Sequence, residues 1–130
     1  MKINTKELTG AALDWAVAKC EGYIATFKPD EVVYAHPLSG EWHNNGNWSP
    51  STKWVQGGPI IEREISKLFK NVGGTYSAQI RHEENHPLIS HKVLAGWTNA
   101  SGPTMLIAAM RCYAASKLGD EIDVPEELLS

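Results

Sequence analysis

The sequence predicts an α+β fold: three helices packed on a short, mostly antiparallel sheet, with a long Trp-rich loop closing one side. Three observations predict it. Apolar residues recur at helical spacing in three stretches, two shorter stretches alternate apolar and polar residues, and the interval 37–58 keeps neither period. The 130 residues are expected to form one domain whose positions 119–130 make an acidic C-terminal segment. A chain of this size buries roughly two-thirds of its unfolded surface, enough for one core without staples.

The first helix is expected over residues 5–20, where Leu8, Ala12, Trp15, Ala16 and Lys19 mark a periodic stripe. Asn4, Thr5 or Thr9 can cap it, and Gly22 stands where a left-handed residue ends a helix. Val32-Val33-Tyr34 reads as a β fragment after the Lys28-Pro29-Asp30 turn signal. The stretch from Pro37 to Gly58, rich in Gly, Asn, Ser, Pro and Trp, is long for an idle loop. Pro59 suits a first helical position, and Ile60, Ile61, Ile65 and Leu68 outline a second helix over residues 59–70, stopped by Gly73-Gly74. Tyr76, Ala78 and Ile80 alternate with Ser77, Gln79 and Arg81, and Val93, Ala95 and Trp97 repeat that period, which predicts two neighbouring strands. The third helix is opened by Ser101-Gly102-Pro103-Thr104 and closed by Gly119, with Ile107, Met110, Ala114 and Leu118 as its stripe. Ala108, Ala109, Cys112 and Ala115 make its other faces apolar too, so it is expected at the centre of the core.

Composition excludes several classes. No run of eighteen apolar residues exists and the start lacks a signal-peptide core, so neither membrane insertion nor secretion is expected. Five acidic residues in positions 119–130 leave a net +2 for residues 1–118, too little for a duplex nucleic-acid binder. Cys20 and Cys112 fall in apolar helical patterns without Cys-x-x-Cys spacing, which fits inert core thiols.

The densest collection of recognition groups is Trp48 to Glu64, WSPSTKWVQGGPIIERE. Trp48 and Trp54 can stack on a flat ligand, Ser51, Thr52 and Gln56 can meet polar atoms, and Gly57-Gly58 can bring backbone N–H groups to an anion. The bland alternatives are core filling for the indoles, turn and capping duty for Ser49, Ser51 and Thr52, and a tight turn at Gly57-Gly58-Pro59. No Gly-x-Ser-x-Gly elbow or P-loop spacing is present. If the helices opened by Pro59 and Pro103 converge, two positive dipole ends face one cavity. Arg111, inside an otherwise apolar helix, then pairs with Glu62 or Glu64 or reaches the ligand. His82-Glu83-Glu84-Asn85-His86 matches H-E-x-x-H, but Pro87 biases His86 away from a helix, so metal binding by these residues and His91 is not expected.

Three blocks resemble the NinX-like proteins of tailed bacteriophages and prophages. They are Leu8-Thr9-Gly10-Ala11-Ala12-Leu13-Asp14-Trp15-Ala16-Val17-Ala18, the central Pro50-Ser51-Thr52-Lys53-Trp54-Val55-Gln56-Gly57-Gly58-Pro59-Ile60-Ile61-Glu62, and Ala108-Ala109-Met110-Arg111-Cys112-Tyr113-Ala114-Ala115-Ser116-Lys117-Leu118-Gly119-Asp120. The resemblance implies a phage accessory protein in the cytoplasm of the bacterial host, with no cofactor or established activity. It also implies an acidic residue where this chain has Lys53, which weakens any scheme using that side chain as a base.

Together these features lead to an expectation of non-catalytic binding of a small anionic, nucleotide-like ligand, such as a host immune signal, by Trp48, Ser51, Thr52, Trp54, Gln56, Gly57, Gly58 and Arg111. A protein-interaction module acting on a host or phage enzyme is the alternative, and a small hydrolase or transferase the third reading. Self-association into a homo-oligomer stays open.

Overall fold

The computed structural model describes residues 1–28, 31–37 and 48–129, with the backbone alone over 26–28 and 31–37. Its architecture is α+β. Helices α1 (Gly10–Cys20), α2 (Trp54–Glu64) and α3 (Met105–Leu118) accompany three antiparallel units. Strands β4 (Lys67–Lys70), β5 (Tyr76–Asn85) and β6 (Lys92–Gly102) form a sheet in that order; β2 (Tyr23–Lys28) and β3 (Glu31–Pro37) form a ribbon, as do β1 (Lys2–Asn4) and β7 (Glu121–Asp123).

Helix α3 is central, as its all-round apolar sequence requires. Leu106, Ala108, Ala109, Met110, Cys112, Tyr113, Ala114 and Ala115 are buried, and the helix packs on β5, β6 and α1. Alanines on α3 and at Ala12, Ala16, Ala78 and Ala100 keep these contacts close. The ends match the sequence signals. Thr104 Oγ1 accepts the Ile107 N–H at 3.1 Å, and Gly119, at φ 86°, closes the helix by donating to Ala115 O. At the end of α1, Gly22 adopts φ 75° and donates to Lys19 O.

Helix α1 begins at Gly10, not at residue 5. Thr5 is drawn elsewhere: its N–H donates to Asp120 O at 2.8 Å and its hydroxyl to Gly119 O at 2.6 Å. Residues Thr5–Glu7 therefore form a single 3-10 turn capped by Asn4.

The second helix departs most from expectation. It starts at Trp54, runs through Gly57-Gly58-Pro59, and ends at Glu64. Pro59 sits inside it, which forfeits the hydrogen bond to the Val55 carbonyl. Gly57 is smallest where the helix meets the preceding turn: a Cβ there would lie 2.4 Å from Pro50 O and 2.6 Å from Leu106 Cδ2. Ile65 leaves the helix at φ −89°, ψ 124°, and Lys67–Lys70 pairs with β5, Leu68 opposite Ala78. The two anticipated strands pair as neighbours and run longer than the alternation indicated, with Ala78 opposite Ala100. Strand β2 was not expected. Trp42, the Pro29-Asp30 turn and residues 38–47 of the Trp-rich stretch lie outside the described residues.

Candidate functional site

The site is built from a turn anchored on a buried carboxyl. Asp14 lies on the buried side of α1, among Leu13, Ala16 and Val17. Its Oδ1 accepts the Ser51 N–H at 2.8 Å, and its backbone O accepts Trp48 Nε1–H at 2.8 Å. Trp48 is 8% exposed and meets the Tyr23 ring edge-on at 5.3 Å. The turn is knit internally as well. Ser49 N–H donates to Gln56 Oε1 at 2.6 Å, and Ser49 O accepts from Thr52 N and Lys53 N. These bonds fix Lys53 as the residue heading α2, with no side-chain cap over the first N–H groups.

Burial pushes the Asp14 carboxyl up to about 6, opposed in part by the Ser51 hydroxyl and N–H and by the charge of Lys53. The Ser51 hydroxyl faces the carboxyl closely enough to favour its ionised form, yet makes no hydrogen bond of good geometry among the described residues. A consequence follows for stability. Folded Asp14 keeps its proton to a pH of about 6, whereas unfolded Asp14 loses it near 3.8. The group's contribution is therefore fully present below the lower value and is lost as pH rises through the upper one, by on the order of 3 kcal/mol. Asp14→Asn, which still accepts from Ser51, should unfold at higher urea than the parent at pH 7.5, and the gap should close near pH 4. A gap of equal size at both pH values would contradict this assignment.

Above the turn, the first turns of two helices open on one cleft of about 450 Å³. Ser51, Thr52 and Trp54 form one wall, Pro103 to Ile107 at the head of α3 another, and Tyr76 a third. Convergence of helix N-termini thus involves Trp54 rather than Pro59, because α2 begins five residues earlier than expected. Trp54 is 54% exposed.

Of the eight residues singled out from sequence, Ser51, Thr52 and Trp54 line this cleft. Trp48 is in the core, Gln56 holds the Ser49 N–H, Gly57 is buried against Pro50 and Leu106, and Gly58 lies beside the Trp54 ring. Arg111 is directed elsewhere, Nε donating to Leu8 O at 2.7 Å and Nη1 to Ser101 O at 3.0 Å. Burial lowers its pKa from the ordinary value, with Glu7 opposing. The expected partner Glu64 is bonded to Arg63 instead.

Sequence reasoning missed Asp14, Tyr76 and the cluster at the far ends of α1 and α2. There Glu21 Oε2 accepts from Arg63 Nη2 at 2.6 Å and from Tyr113 Oη at 2.7 Å, joining three helices. A carboxylate between Leu13 and Ala16 was the available signal for Asp14. His82 and Glu83 lie on β5, where side chains alternate faces, so the helical spacing that H-E-x-x-H needs is not formed. His82 Nε2 instead meets Thr98 Oγ1 at 2.6 Å. Burial pushes Cys112 up to about 11 and Cys20 up to about 12, which leaves both thiols protonated at neutral pH. No helix among the described residues is long and apolar enough to cross a membrane.

The sequence model of a family described as "Bacteriophage P22, NinX" matches residues 4–117, a span that covers α1, the turn, the cleft and nearly all of α3. No curated protein matches the chain.

Proposed function

The chain belongs to this phage family, and we propose that it is a phage accessory protein whose cleft binds a small anionic, flat ligand, a nucleotide or nucleotide-derived signal, without transforming it. One observation carries the reading: the amino ends of α2 and α3 share a cleft with an exposed indole. Thr104 caps the Ile107 N–H and Lys53 O accepts from Gln56, yet each amino end carries a partial positive charge. Lys53 adds a full charge at the head of α2. Trp54 and Tyr76 offer ring faces, and Thr52 and Thr104 offer hydroxyls. Among the described residues, hydroxyls, rings and aliphatic side chains line the cleft. Retention of a host immune nucleotide in the bacterial cytoplasm is the role such a site suits in a phage accessory protein.

A calorimetric screen of mono-, di- and cyclic nucleotides is expected to find a ligand, with affinity falling as salt rises. Trp54→Ala should remove about 1–3 kcal/mol of that affinity by loss of stacking. An empty screen would instead assign the exposed pair Trp54 and Val55, at 54% and 84%, to a protein-interaction surface.

A further inference from the structure

We propose that the solvent face of the β4–β5–β6 sheet is a second site, binding single-stranded nucleic acid through stacking on Phe69 and Trp97. Ala78, Ile80 and Ala100 are buried on the α3 side of this sheet. The two-residue period then places Lys67 and Phe69 of β4, Gln79 and Arg81 of β5, and Trp97 and Asn99 of β6 on the opposite side. Both rings remain open to solvent, Phe69 at 44% and Trp97 at 37%. A groove of about 350 Å³ runs from Phe69 along Gln79 and Asn99, with Lys6 in its wall, and Trp97 lies on the same face, one row past Asn99.

The register sets the geometry. Phe69 lies in the row of Ser77 and Ser101, Lys67 in the row of Gln79 and Asn99, and Arg81 opposite Trp97. The rings are thus on the two outer strands and four residues apart along them, roughly 16 Å by strand spacing. A short run of unstacked nucleotides bridges that distance, with the Gln79 and Asn99 amides between the rings to meet base edges. Cations lie on the path: Lys67 Nζ stands over the Trp97 ring at 5.2 Å from its centre and Arg81 Cζ at 5.9 Å, so a base stacks on Trp97 by taking the place of one of these long side chains, while Lys6 stands along the groove. Arg81 is also bonded to Glu83 at 3.0 Å, so Lys6 and Lys67 carry most of the phosphate attraction.

Stacking platforms flanked by cations recognise unstacked bases, whose faces a duplex hides. The few cations match a short single strand rather than a long phosphate track. A protein partner is less suited, because amides, hydroxyls and cations rather than apolar residues separate the two rings. The surface is separate from the cleft at α2 and α3, and shares none of its lining residues.

The test is fluorescence anisotropy with labelled twelve-nucleotide RNA and DNA of one sequence, alongside the corresponding DNA duplex, at low salt. At least one single strand should bind more tightly than the duplex, with a log–log salt slope of about −1.4 from the two lysines. An RNA preference would assign a contact to the 2′-hydroxyl; equal binding would assign recognition to bases and phosphates. Phe69→Ala and Trp97→Ala should each weaken binding about five- to hundredfold, and Trp97→Phe, which keeps a ring, should retain most of it. Lys67→Gln, at an exposed position, should flatten the salt slope by about 0.7 while the protein melts as the parent does. Trp54→Ala should leave oligonucleotide binding unchanged, which separates this site from the cleft. Absence of binding to either strand, equal binding of the duplex, or affinity and salt slope untouched by Lys67→Gln would overturn the proposal. So would self-association of the protein alone that Phe69→Ala abolishes, since the face would then belong to a second copy.

Discussion

Trp48→Ala should lower the unfolding free energy by about 3–5 kcal/mol, measured by urea denaturation at neutral pH. The indole is 8% exposed, contacts the Tyr23 ring edge-on, and donates to the Asp14 carbonyl, so its removal opens a void where the turn meets α1. Relaxation into that void is limited, because Ser51 N–H is held independently by the Asp14 carboxyl. Trp48→Phe keeps a ring in the same place and loses the donor, so about 1–2 kcal/mol should suffice for it. Equal losses for the two variants would mean that the hydrogen bond, and not the packing, holds the turn.

The second large effect is expected at Gly57. Its hypothetical Cβ stands 2.4 Å from Pro50 O and 2.6 Å from Leu106 Cδ2. The leucine methyl can rotate away; the proline carbonyl belongs to a turn already fixed by Asp14. Gly57→Ala should therefore destabilise the fold by about 3 kcal/mol, although alanine is the better helix former by about 1 kcal/mol. Gly58→Ala is the control. Its Cβ would meet only Trp54 Cε3 at 3.9 Å, so the helical preference should dominate and stability should hold or rise. Thermal melting of the two variants distinguishes tight packing at Gly57 from a general intolerance of the glycine pair.

That pair also marks where local sequence signals lost to tertiary ones. Gly57-Gly58-Pro59 has the composition of a turn, and nothing local shows that Gly57 is small because Pro50 and Leu106 press on it. The bonds that fix the preceding turn reach Asp14, more than thirty residues earlier, so they left no periodic trace. Leu68 continued the helical stripe of Ile61 and Ile65 by spacing, yet its register with Ala78 made it a strand residue. By contrast, α3 was legible throughout, because Thr104, the apolar run and Gly119 are local signals that agree. The aromatic and hydroxyl-bearing part of the cleft, Ser51, Thr52 and Trp54, was legible by composition. Tyr76 and the head of α3 join it only through folding, and Arg111 leaves it for two backbone carbonyls that no sequence pattern announces.

The ribbon that joins β1 to β7 has a consequence for synthesis. Lys2 pairs with Asp123, Asn4 with Glu121, and Thr5 is held by Gly119 and Asp120, so β1 finds its partner only after the residues between them, all of α3 included, have been made. At elongation rates of about 5–20 residues per second, the stretch from Asn4 to Glu121 takes on the order of ten seconds to translate. Throughout that interval the leading segment has no strand to pair with and α1 lacks α3, its main packing surface. The ribbon therefore closes late, after α3 has been made, and the β1 edge stays unpaired until β7 follows.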